Sequence, residues 1–188
     1  MRMIKKGEFG YISFQRKWTV VRTILFFAIC ALVFAVGYIT TGSRKNLLTI
    51  VSILGCLPAC KSFVNVCMFY RAKGCSQKAY EAISPIAKEL YGLYDLYMTS
   101  YNSSYAISHL VISGSSIVAL SEDSDCVTGD AEKHIQEHLK QDGVKNMTVK
   151  VFDNLGKYTD RLTQIDKLEV KPLANQDSIM EMLISISL

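Results

Sequence analysis

Residues 23–39 read TILFFAICALVFAVGYI, seventeen positions without a formal charge. No face of this segment is polar, so it cannot lie amphipathically on a soluble core. With Trp18 to Arg22 before it and Thr40 after it, it is long enough to cross a hydrocarbon layer of ~30 Å. Trp18 falls where an interfacial aromatic belongs, and Arg22, one turn inside, can reach back to headgroups. The apolar run exceeds the ~7–15 residues of a signal peptide, and no small-x-small cleavage site follows, so it reads as a retained anchor.

A second apolar stretch, LLTIVSILGCLPACKSFVNVCMFY, covers residues 47–70. Its charge-free part, Asn46 to Cys60, would span only about 22 Å as a helix. The span must therefore continue past Lys61, which then snorkels to the nearer interface or, in the functional alternative, marks an intramembrane pathway. Pro58 is expected to kink this helix without ending it.

Charge divides the chain in the same place. Residues 1–73 hold eleven Lys/Arg and one acidic residue, Glu8, whereas residues 74–188 hold ten Lys/Arg and sixteen Asp/Glu. The basic half is also the apolar half, which favours a membrane surface over nucleic acid. The acidic half repels phosphate backbones. Arg2, Lys5, Lys6, Arg16 and Lys17 precede the first span, and Arg71, Lys73 and Lys78 follow the second. Only Arg44 and Lys45 lie between. The positive-inside rule then predicts a multi-pass protein of the plasma (cytoplasmic) membrane with both termini cytoplasmic.

The expected organisation is a basic arm (1–17), a transmembrane hairpin (18–70, spans about 18–40 and 47–70) and a soluble domain (74–188). Arg2, Lys5, Lys6, Arg16, Lys17, Arg71 and Lys73 are the candidate contacts to anionic headgroups. Small residues at helical spacing, Ala28, Ala31 and Ala35 on one span and Ser52, Cys56 and Cys60 on the other, predict the faces on which the hairpin packs, with a homo-oligomer as a further use. The six Cys contain no CxxC pair and read as small apolar residues rather than a metal or redox ladder.

In the domain, Ser84-Pro85 reads as the start of a helix carrying Ile86, Leu90, Leu93, Tyr94 and Tyr97. A hairpin follows over Tyr105–Ser113 and Ser116–Ser121. Thr128–Asp142 reads as a helix ended by Gly143, Met147–Phe152 as a strand, and Asp153 as the cap of the next helix. Leu168–Val170 is a short candidate strand and Ser178–Leu188 a last helix. The fold class is thus a two-helix transmembrane hairpin followed by a small mixed α/β (α+β) cytoplasmic domain. The element order is similar to that at the core of restriction-endonuclease-like domains. The E-x-K signature of that group is absent from SIVALSED at residues 116–123, so the likeness is one of order alone.

Two patterns carry possible chemistry. His134, Glu137 and His138 form H-x-x-E-H, in which two His at i and i+4 could bind Zn²⁺ with the Glu as general base. A third ligand would come from Glu169 or Glu181. The same residues, with Lys133, Gln136 and Lys140, also make an ordinary solvated helix face. Glu122, Asp123, Asp125 and Asp130 could hold a divalent cation, or simply be loop charges near a helix N-terminus. His109 reads as a half-buried, satisfied strand residue. No cofactor motif is present. The expected function is a membrane-anchored protein presenting a cytoplasmic interaction or regulatory domain to a cytosolic protein. The alternative is a membrane-tethered metal-dependent hydrolase using the H-x-x-E-H helix or the acidic loop.

Overall fold

A computed structural model describes residues 4–43, 46–88, 90–100, 103–144, 146–167 and 175–188. Arg2, Arg44, Lys45, Glu169 and the 168–170 strand expectation lie outside the described residues. Two long apolar helices are followed by a small mixed α/β domain. The chain divides into two compact units, residues 12–72 and residues 1–11 with 73–188.

The first of these is an antiparallel helix pair, α1 (Tyr11–Thr41) and α2 (Leu47–Arg71). At ~1.5 Å per residue they are about 46 and 37 Å long. α2 is continuous through Pro58. The turn between them is built on Asn46. Its Oδ1 accepts from the Thr49 amide at 2.8 Å, capping α2, while its Nδ2 donates to the carbonyls of Gly37 and Ser43, each at 2.8 Å. At the other end Arg16 donates to the carbonyls of Phe69 and Ala72, at 3.1 and 2.8 Å. A cation there satisfies orphan carbonyls and the negative end of the α2 dipole.

The second unit is a four-stranded sheet covered by helices on both faces. The strands β1 (Tyr91–Thr99), β2 (Ser104–Ser113), β3 (Ser116–Leu120) and β4 (Thr148–Phe152) are adjacent in that order. β1–β2 and β2–β3 are antiparallel. β3–β4 is parallel, joined through α4 (Thr128–Gln141), as parallel neighbours require a crossover. α4 and α6 (Gln176–Ile186) bury Ala131, Ile135, Leu139, Ile179 and Leu183 on one face, against Leu93, Leu96, Ile107, Leu110, Ile117 and Val149. α3 (Gln77–Ile83) and α5 (Leu155–Lys167) bury Ala79, Ile83, Tyr158, Leu162 and Ile165 on the other, against Val111, Val118 and Leu120.

Three local expectations are corrected. The stretch from Ser84 to Tyr97 is not a helix. Ser76 caps α3, its Oγ accepting from the Ala79 amide at 3.1 Å, Ser84 sits at the far end of that helix, and the chain then enters β1. The misleading signal has a cause. Asp95 has φ +55°, so the face that carries Tyr94 resumes at Tyr97, three residues on instead of two, as the opposite face runs from Leu93 to Leu96. A spacing of three imitates a helix. β2 shows the same slip, from Ile107 to Leu110, so the pairs Tyr94–His109 and Leu96–Ile107 keep one register. Secondly, α5 is capped by Asn154, whose Oδ1 accepts from the amides of Gly156 and Lys157, not by Asp153. Thirdly, Ala28, Ala31 and Ala35 are exposed. The α1 face against α2 is Thr19, Thr23, Cys30 and Gly37, and it meets Ser52, Ala59 and Ser62. Of the second expected face, Ser52 is buried, Cys56 is half-buried and Cys60 is exposed.

The N-terminal residues also differ from a separate arm. Ile4–Gly10 pack with the domain: Gly7 O accepts from the Tyr94 amide at 2.8 Å, Phe9 stacks on Tyr80 with centroids 4.0 Å apart, and Lys6 Nζ donates to Ser187 O at 3.0 Å. The Leu188 amide donates to Tyr97 O at 2.7 Å. Both chain ends therefore cover the open edge of β1, which would otherwise be a template for foreign strands.

Candidate functional site

The helix pair is built inside out relative to the domain. Its buried contacts are polar: Thr23 and Ser62 hydroxyls lie 2.7 Å apart, and Ser52 Oγ donates to Cys30 O at 2.8 Å. Its large apolar side chains point outward, Ile24, Leu32, Ile39 and Leu57 being 64, 64, 79 and 68% exposed. In water such a surface would be an aggregation site. In lipid it is the expected exterior, with small and polar residues between the helices. Arg22 Nε reaches Ser62 Oγ at 3.4 Å, and Lys61 is exposed. Both helices are long and apolar enough to be membrane spans.

Among the candidate headgroup contacts, Arg16 closes the end of α2, while Lys17 and Arg71 are exposed. Lys5 is exposed, and Lys6 is half-buried with burial lowering its pKa. Lys73 is occupied within the domain, its ammonium 2.6 Å from Asp123 Oδ1 and 3.7 Å from Asp125 Oδ2.

That pairing also describes the acidic loop. Glu122 accepts from the Ser76 amide at 2.9 Å and the Ser76 hydroxyl at 2.6 Å. Burial opposes ionisation of Asp123, but the Lys73 ammonium and the Asp125 amide outweigh it and lower its pKa. Asp130 lies 3.7 Å from Lys133. Glu122 and Asp123 thus hold the segment leading into α3. Beside them, past the ends of β3 and β4, a cavity of about 500 Å³ is lined by Ser121, Glu122, Asp123, Cys126, Thr128 and Asp153.

On α4, His134 and His138 are brought together, rings 4.7 Å apart and nearly perpendicular, with Tyr105 5.3 Å from His134. Burial, then the neighbouring His138, lowers the His134 pKa. Glu137 and Glu181 are exposed. Among the described residues no three His, Cys, Asp or Glu side chains are grouped as metal ligands.

His109 is fully buried, unlike the half-buried residue expected. Its Nδ1 is 2.7 Å from the Tyr158 hydroxyl, its ring is 4.2 Å from Tyr94, and Nε2 has no hydrogen-bond partner among the described residues. Nε2 fills the space above Gly92, where a Cβ would meet it at 2.7 Å. Burial lowers its pKa to about 3, so the ring is neutral. Burial likewise pushes the Cys75 thiol up to about 12, which makes it a poor nucleophile. Sequence reading missed the N-terminal strap. In that strap Phe9 lies between Gly7 and Gly10, both at positive φ. No protein family's sequence pattern, curated protein or solved structure matches the chain.

Proposed function

We propose that the chain is a membrane-anchored protein whose helix pair spans the plasma membrane and whose α/β domain acts at the cytoplasmic face as an interaction or regulatory module. The observation that carries this reading is the inverted polarity of the helix pair, apolar outside and hydroxyl-lined within. Between Thr23 and Thr41, α1 is charge-free for about 28 Å, matching a hydrocarbon layer of ~30 Å. Residues 1–11 pack in one unit with residues 73–188. Both ends of the hairpin therefore exit on one side, and the cations at that end (Arg16, Lys17, Arg22, Lys61 and Arg71) favour the cytoplasmic side. The basic end would contact anionic lipid, and the acidic domain would remain available to a cytosolic protein partner or a second copy of this chain.

The test is extraction and protection. The full chain should stay with vesicles through alkaline carbonate, and the domain should resist protease added to sealed cells but not to opened ones. Release by carbonate, or digestion in sealed cells, overturns the reading.

A further inference from the structure

We propose that Arg22 and Lys61 together bind the phosphate of an anionic phospholipid on one flank of the helix pair. The inference rests on the membrane-spanning reading. It begins with the 2.7 Å contact between Thr23 and Ser62, which sets these two residues at one height on facing helices. Arg22 and Lys61 each precede the contacting residue. In a right-handed helix one step is ~100° of rotation. For two antiparallel helices that step falls on the same flank of the pair. The two cations therefore project side by side, and the 3.4 Å bond from Arg22 Nε to Ser62 Oγ already draws the guanidinium toward α2.

The flank carries two further groups suited to a lipid headgroup. Trp18 is four residues before Arg22 and 52% exposed, and Asn65 is four residues after Lys61 and half-buried. Residues at i and i+4 share a helix face. On the opposite flank, Ile24 and Phe63 are exposed and apolar.

Charge complementarity sets the occupant. Residues 12–72 contain no Asp or Glu, so neither cation has a carboxylate partner on its own helix pair. Beyond the two cations, toward the turn, both helices are charge-free up to Thr41 and from Leu47. The pair therefore lies at the boundary of the apolar band, the depth at which phosphodiesters are found. Arg offers a planar fork to two phosphate oxygens and Lys a point charge beside it.

Trp18 is the chain's one tryptophan and an intrinsic reporter for this flank. The full chain is reconstituted in phosphatidylcholine nanodiscs containing a minor fraction of brominated phosphatidylglycerol or, at the same fraction, brominated phosphatidylcholine. Phosphatidylglycerol should quench Trp18 more strongly. Arg22→Gln and Lys61→Gln should each lower the apparent enrichment roughly fivefold, the factor for one cation at a charged surface. Lys61→Arg should keep it, as should Lys78→Gln, which removes one exposed cation from α3. Equal quenching by the two lipids, or a loss in Lys78→Gln as large as in Lys61→Gln, overturns the site. Collapse of the preference on adding inorganic phosphate at constant ionic strength also overturns it, in favour of a soluble anion. No quenching by either lipid overturns instead the membrane-spanning reading beneath it.

Discussion

The Tyr94 amide, on the open edge of β1, donates to the carbonyl of Gly7, eighty-seven residues earlier, at 2.8 Å. Two residues on, Phe9 covers Tyr80 and meets Tyr94 edge-on at 6.2 Å. The α/β domain is therefore completed by chain that precedes the first apolar helix.

Removing that strap should weaken the domain. Phe9→Ala loses aromatic burial on Tyr80 and Tyr94, at a cost of about 1–2 kcal/mol. Gly7 has φ +87°, and a Cβ there would lie 2.6 Å from Leu93 Cδ2. Gly7→Ala should cost a similar ~1–2 kcal/mol. Urea unfolding of the full chain in detergent, followed by Tyr fluorescence, reads both. A midpoint unchanged in both variants would show that the strap contributes nothing to stability.

His109 gives the domain a pH dependence of known sign. Its folded pKa, about 3, lies below the ordinary 6.5. Its contribution is fully present above about pH 6.5. It is lost as pH falls toward 3, because the unfolded chain takes up the proton first, at about 1.4 kcal/mol per pH unit. His109→Phe should flatten this decline while costing ~1–3 kcal/mol at pH 7, since Tyr158 then keeps a buried hydroxyl without its partner. His109→Phe with Tyr158→Phe should recover much of that loss. Denaturant titrations at several pH values between 4 and 8 measure the slopes. Parallel slopes for wild type and His109→Phe would refute the buried neutral ring.

Gly92 and Gly129 make a matched pair. A Cβ at Gly92 meets His109 Nε2 at 2.7 Å and Cε1 at 3.3 Å, whereas at Gly129, inside α4, nothing lies within 4 Å. Gly92→Ala should push the ring off Tyr158 and destabilise by about 1–3 kcal/mol. Gly129→Ala should stabilise by ~0.5–1 kcal/mol. Thermal melts of the two variants should move in opposite directions.

The sequence made the two long helices, α4, α5 and β4 legible because an unbroken apolar run or a single period marks each, and Gly114 marked the turn of the β2–β3 hairpin. β1 broke the rule at Asp95, where a left-handed residue moves the inward face by one position and turns alternation into a spacing of three. The strap was hidden for another reason. Its contacts to Tyr80, Tyr94 and Ser187 are long-range, and no local pattern announces them. The small-residue stripe on α1 was real but misassigned. Ala28, Ala31 and Ala35 look out, because two hydroxyls meeting across the interface fix the helix rotation instead.

That rotation predicts a crosslink. In a background with the native Cys replaced by Ala, Thr23→Cys with Ser62→Cys should form a disulfide under mild oxidation in membranes, since the native hydroxyl oxygens are 2.7 Å apart. Sulfur atoms replacing them need only ~2.05 Å, a shift the side-chain torsions can supply. Ala28→Cys with Ser62→Cys should not crosslink within a chain. Position 28 is five residues further along α1 and turned about 140° away from the contact. Shifted mobility on non-reducing gels separates the pairs. Crosslinking through position 28 but not 23 would mean that α1 packs on its alanine face, and that the hydroxyl-lined interior, with the lipid site derived from it, is wrong.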